Sequence, residues 1–506
     1  TSRIGEYRLT ADDRNDNTII RKEKFENSHF KYNQYPVTLR AVYDSDKTQI
    51  GNTIGFNFDQ SPLAETQGHL SYSQSNATAY SYKNNQPYTT RHFIWSGAYY
   101  FILPDNFQLS LSTRVNYGHT DYAYSYVASL PGSEAIDNTS RENYYKVSGS
   151  ATLYKGFTAN HSAFAAIYTG TNRNDVEYRG SSPYENKFSD SYAGLRIGYN
   201  FNNRRWRFNS NVALQWERNG INGVYASETY PLINVSGTYS PSDHHSLQAF
   251  IHYGANYPGE SVKTPNILQD NELMYKTGNP NLSLSRQVTF NMKYNWIADN
   301  RFSMSLFGQY FGEYDLYVPI FEPYKNGHAI LKTYSSDQDY NRTQIGLSLN
   351  LKLFDGSMQL AAQPSISMFR YNGYYNMSEN PFVVNASATY YIKRFFVQAS
   401  YQSKDKTING NLGTWYRSRD FYQLQAGWGN SNWNIRLSAI NMFRGDWLAA
   451  TQTLHAPIYS ETMLQGGTYY HRRINFSVTY TFGYGKKVQR SNEVGEQAGG
   501  SSAILK

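Results

Sequence analysis

The sequence predicts an all-β protein, a large antiparallel transmembrane β-barrel of a bacterial outer membrane. Three observations carry that prediction. Apolar and polar residues alternate with a period of two along most of the chain. Short turns alternate strictly with long polar segments. The composition is poor in charge and rich in aromatic residues.

Composition bounds the fold class first. Of 506 residues, 16% are aromatic, 48 of them Tyr, and only 17% are charged, against roughly 25% in ordinary soluble domains. No run approaches the roughly 18 apolar residues of a membrane helix; the most concentrated stretch, 93–103, already contains Ser96 and Gly97. A barrel wall needs only every second residue to face lipid, so its mean hydropathy stays low. Disorder would bring few aromatics and more charge. Cysteine is absent, which rules out disulfides and thiolate metal sites. The net charge of +8 is spread along the chain, and the densest basic group, Arg204, Arg205 and Arg207, flanks a turn. Nucleic-acid binding would want such residues clustered on one element. Thr1 is no initiator and no leader follows it, so a processed or trimmed product is expected.

Alternation recurs from about residue 35 to 482. Within 287–296, Val288, Phe290, Met292, Tyr294 and Trp296 share one face, and Gln287, Thr289, Asn291, Lys293 and Asn295 the other. Val147, Gly149, Ala151 and Leu153 repeat the split, as do Ile345, Leu347, Leu349 and Leu351. A strand sorts such residues onto two faces, whereas a helix scatters them.

Tight turns are expected near 44–47, 104–106, 155–156, 201–203, 240–243, 298–300, 354–356, 392–394 and 430–432, with turn chemistry such as Asp355-Gly356. Long polar segments lie between them, at about 126–142, 171–187, 219–227, 257–283, 313–338, 372–379, 405–418 and 444–467. All short turns therefore sit at one end of the strands, the arrangement of outer-membrane barrels with short periplasmic turns and long extracellular loops. About twenty strands follow. The expected divisions are an opening strand and first extracellular loop over 1–34, the barrel over 35–483, and a disordered periplasmic tail over 484–506. Aromatics beside the short turns, among them Tyr154, Tyr199, Trp206, Trp296 and Trp433, predict the periplasmic girdle.

At the end of the chain, Phe476, Val478, Tyr480 and Phe482 alternate in a strand that resembles the barrel-closing terminal strand of outer-membrane proteins. The following Gly483-Tyr484-Gly485-Lys486-Lys487 resembles tails of Bacteroidetes TonB-dependent-receptor-like proteins. Thr277-Gly278-Asn279-Pro280-Asn281-Leu282 is similar to the Gly-Asn-Pro-x-Leu segment of that superfamily, although its usual acidic residue is replaced here by Ser283, Leu284 and Ser285. The resemblance implies a barrel of about 22 strands around a plugged lumen. It further implies an amino-terminal plug, an inner-membrane energising complex and a surface lipoprotein as partners, besides membrane lipid. The plug and the coupling motif are not in this sequence, and the expectation is that Thr1 lies inside a longer parent, after its plug and first two strands.

Function then has three readings: a receptor-transporter for a scarce nutrient, a structural or assembly barrel that docks partner proteins, and an outer-membrane enzyme. The sequence favours the first. No cofactor is expected and no catalytic motif stands out. His244 and His245 are adjacent at a turn, with His252 beyond, and neighbouring strand residues point to opposite faces, which argues against chelation. The candidates for ligand contact are loop aromatics: Tyr257, Tyr275, Tyr314, Tyr317, Tyr324, Trp415 and Trp447, rings suited to stacking on sugars, peptides or chelates.

Overall fold

The computed structural model describes residues 2–9, 17–73, 79–180, 183–446, 448–466 and 471–482. A 26-stranded sheet forms the wall, and a separate 4-stranded sheet is built from two of the long loops. Every pairing in the large sheet is antiparallel, each hairpin laddering with the next. The 26 segments include pieces of single wall strands. Tyr80–Asn85 and Tyr88–Ile102 both lie between Thr48–Tyr72 and Phe107–Ala128, interrupted only at Gln86-Pro87.

The two faces sort as the alternation predicts. Along Tyr184–Asn202, Leu195 and Ile197 are 64% and 66% exposed, turned outward toward lipid. The alternate positions Gly194, Arg196 and Gly198 turn inward. Several inner glycines sit opposite an aromatic ring. Gly194 pairs with Tyr168, and a Cβ there would run into the end of that ring. Gly194→Ala is therefore expected to cost about 1–3 kcal/mol through overpacking. At Gly308 a Cβ would meet nothing, and Gly308→Ala should stay within about 0.5 kcal/mol. Urea unfolding in lipid vesicles compares the two, and equal losses would contradict the ring-over-glycine packing.

All nine short turns are present, within a few residues of their expected positions. The long segments are another matter. Those at 126–142, 171–187 and 219–227 are largely strand, not loop. Ile136 pairs with Tyr126, Tyr178 with Tyr184, and Ile221 with Val224 around an Asn222-Gly223 turn in which both residues take positive φ. The sequence hid these extensions because the outer face meets water there. Asp121, Arg141, Glu177 and Arg179 point out, while Tyr122, Tyr126 and Glu142 are buried inside. About 9–11 residues cross a bilayer, so Asn17–Asp44, with 28 residues, and Thr48–Tyr72, with 25, stand well above it. Asn17–Asp44 also occupies much of what reads in the sequence as a first extracellular loop. The expected tail at 484–506 lies outside the described residues.

Of the girdle residues, Tyr199, Trp206, Trp296 and Trp433 share the outer face, with Trp206 stacked on Tyr239 at 4.1 Å and Trp433 against Tyr480 at 4.6 Å. Tyr154 does not join them. It pairs with Phe164, which is on the inner face opposite Gly198, so parity places it in the lumen.

Phe476, Val478 and Tyr480 pair with Leu437, Ile435 and Trp433 and face outward, with Phe482 exposed just beyond. Above the membrane the ring is continuous: Thr414–Ser418 ladders with Leu448–His455, that with Tyr459–Gly466, that with Ser2–Leu9, and that with the start of Asn17–Asp44. Lower down, the ring is open among the described residues. From Phe25 onward Asn17–Asp44 pairs only with Thr48–Tyr72, and Arg473–Tyr480 only with Trp433–Ile440.

Candidate functional site

The segments 257–283 and 313–338 fold together across the outer mouth. Val318–Tyr324 pairs antiparallel with Ala329–Ser335, which in turn pairs parallel with Met274–Lys276. The turn between the first two needs positive φ at Lys325, Asn326 and Gly327. Val318 and Ile330 are fully buried, and with Met274, Leu316 and Phe321 they pack on Tyr7, Tyr340, Phe369, Tyr371 and Tyr459 from the surrounding rim. Burying a Val or Ile side chain contributes roughly 1.5–3 kcal/mol, so this lid is a packed core rather than a set of loose loops.

Polar contacts tie the lid to the wall. Arg21, 4% exposed, bonds Glu272 at 2.6 Å, Glu23 at 2.8 Å and the Tyr126 hydroxyl at 3.2 Å. Tyr126 in turn donates to Glu272 at 3.0 Å, and Tyr72 donates to Glu272 as well. Burial alone would raise the Glu272 carboxyl; Arg21 and Tyr72 reverse that and hold it below the usual range. The Tyr124 hydroxyl donates to the Asp270 carbonyl at 2.7 Å, and Lys263 to Asn219 at 2.6 Å. Gly278, of the Gly-Asn-Pro segment, donates to the Thr264 carbonyl at 2.7 Å, where a Cβ would collide with the backbone of Val262 and Thr264. The motif is thus a tight joint of the lid.

Between the lid and the facing rim lies a cavity of about 230 Å³. Arg3, Arg21, Lys276, Lys332, Asp270 and Glu461 supply its charge, and Tyr7, Phe321 and Tyr459 its rings. Asp270 pairs with Lys276 at 2.8 Å and Arg3 with Glu461 at 3.6 Å. Burial would raise the Asp270 carboxyl, but Lys276, with Lys332 and Arg3 beyond, outweighs it and holds the group at about 2. A free aspartate titrates near 3.9. This contribution to lid stability is therefore whole above about pH 4 and is lost as pH falls toward about 2. Tyrosine near-UV circular dichroism should show an acid step in that window that Asp270→Asn removes; an unchanged step in the variant would assign it to other carboxylates.

None of the six described loop candidates lines this cavity. Tyr275 and Tyr324 lie against each other at 5.0 Å on the lid, with Lys325 over Tyr275 at 4.3 Å. Tyr317 meets Tyr334 at 6.3 Å, Lys263 sits 5.8 Å from Tyr257, and Lys406 covers Trp415 at 4.2 Å. Tyr314 shares the outer face with Leu306 and Tyr310, bonding the Tyr310 hydroxyl at 2.9 Å. Trp447 lies outside the described residues. The three histidines are occupied separately: His244 on the Ile297 carbonyl, His245 on Tyr294 and His252 on Asn234. Sequence reasoning missed Arg3, Arg21, Lys332 and Glu461. Arg21 and Glu23 stand two apart in a charged run, the one signal that both face inward.

The chain matches no known family profile and no curated protein. Solved structures do share its fold. The siderophore receptor PirA from Pseudomonas aeruginosa superposes with a TM-score of 0.51 at 10% identity, over 95% of this chain and 80% of that one. The FrpB iron transporter from Neisseria meningitidis (F5-1 variant) gives 0.52 at 10%, over 95% and 82%. The copper transporter OprC gives 0.53 at 10%, over 92% and 80%. The chain has the fold of a large outer-membrane β-barrel.

Proposed function

We propose that this chain is the wall and mouth of an outer-membrane receptor that takes up a scarce nutrient, captured at the lid and passed through the lumen. One observation carries the reading: segments from distant parts of the chain converge on a charged cavity at the outer mouth. A barrel of this size encloses a lumen that needs obstruction to keep the membrane tight. In the proposal a plug domain supplies that obstruction, a TonB-type inner-membrane complex supplies the energy, and a surface lipoprotein assists capture. The chain itself performs no catalysis. The likeness to receptors and transporters of siderophores, iron and copper supports the reading through fold.

A strain lacking the gene should grow poorly only in media limited for one nutrient. The full-length gene should restore growth, and a version lacking the lid hairpin 318–335 should not. Normal growth in every limiting medium, with altered assembly of other envelope proteins, would replace transport by the structural reading.

A further inference from the structure

The charges around the cavity do not pair off evenly. Arg21 is shared by Glu23 and Glu272, Arg3 is held by Glu461, and Asp270 by Lys276. The Lys332 ammonium makes no hydrogen bond or direct ion pair among the described residues, Asp270 and Glu461 acting on it only from farther off, yet it lines the cavity from the middle strand of the lid. An ammonium withdrawn from water without a partner in contact is costly, and burial pushes its pKa down against the pull of Asp270 and Glu461. Neutral donors line the same cavity, the Asn271 amide and the Thr414 hydroxyl, together with the Gln452 amide, which already spends one N–H on Thr414 Oγ1 at 3.1 Å. At about 30 Å³ per water, the space holds on the order of eight waters, enough for a small molecule or one arm of a larger one.

We infer that the cavity binds a small organic carboxylate, with Lys332 as its counter-ion and the neighbouring amides as hydrogen-bond donors. This rests on the receptor reading and names the substrate class for it. Lysine serves here as a point charge, and the carboxylate supplies the partner the native lid withholds. Asp270 and Glu461 do not repel it strongly, because each already holds a cation.

The test titrates the full chain, folded in lipid, with citrate, inorganic phosphate and the neutral sugar maltose, following heat by calorimetry. Citrate should bind, and Lys332→Gln should weaken it about tenfold or more, the loss of one charge-assisted hydrogen bond. Lys332→Arg should retain most of the binding, and the exposed Lys187→Gln should leave it unchanged. An unaltered protease pattern in Lys332→Gln shows that the lid still folds. Phosphate binding without citrate binding would overturn the carboxylate assignment. Maltose binding indifferent to Lys332→Gln would overturn the anionic site while leaving a receptor, and so would citrate binding undiminished in that variant. No binding of any probe overturns the inference, whereas the nutrient-limited growth assay judges the receptor reading independently.

Discussion

Glu272→Ala is expected to destabilise the lid by about 3–5 kcal/mol, the usual cost of removing one partner from a buried ion pair. Arg21 is 4% exposed and Glu272 11%, so the deletion strands a guanidinium in a site that water reaches poorly. Glu23 remains beside Arg21 at 2.8 Å, which places the loss nearer the lower figure. Tyr72 and Tyr126 also lose their shared acceptor. The segment 257–283 should then become sensitive to protease while the wall stays resistant. Replacing both partners, Arg21→Met with Glu272→Leu, should recover much of the loss, since an apolar pair of similar volume need not be desolvated. Equal cleavage in the single and double variants would show that packing of the lid core, and not this pair, holds the segment down.

The second large effect belongs to the wall. Leu347 and Leu349 face outward beside Leu306 and Met304, whereas Ser348 pairs with Ser305 on the inner face. Arginine at Leu347 or Leu349 should cost about 2–4 kcal/mol near the bilayer midplane, and at Ser348 far less. Heat-modifiability on gels and urea unfolding in vesicles measure both. Similar damage at 348 and 349 would reverse the assignment of faces.

The wall was legible because its physics is local and repetitive: a two-residue period, turn chemistry such as Asp355-Gly356, and two rims of unequal length. The same reasoning failed where the solvent changed. Between Tyr122 and Glu142 the outer face leaves lipid for water, the apolar stripe vanishes, and a continuing strand reads as loop. Parity also settled what composition could not, placing Tyr154 inside and Tyr314 outside. The mouth was least legible. Loop aromatics looked like the ligand surface, yet the described ones pack on one another or on lysines, and the cavity belongs to Lys332, Asp270, Arg3 and Glu461, which only tertiary folding brings together. Gly278 stood out as part of a motif, but its reason, a carbonyl pressed where a Cβ would be, is invisible without the opposing backbone.

The continuous pairing at the outer rim acts as a clasp. It joins the first and last parts of the wall where water could have satisfied their backbones, and among the described residues they stand apart where lipid cannot. The clasp therefore fixes how far apart those two raw flanks stand in the bilayer. Loosening the hairpin at 448–466 should make that width variable before it disturbs any other part of the cylinder.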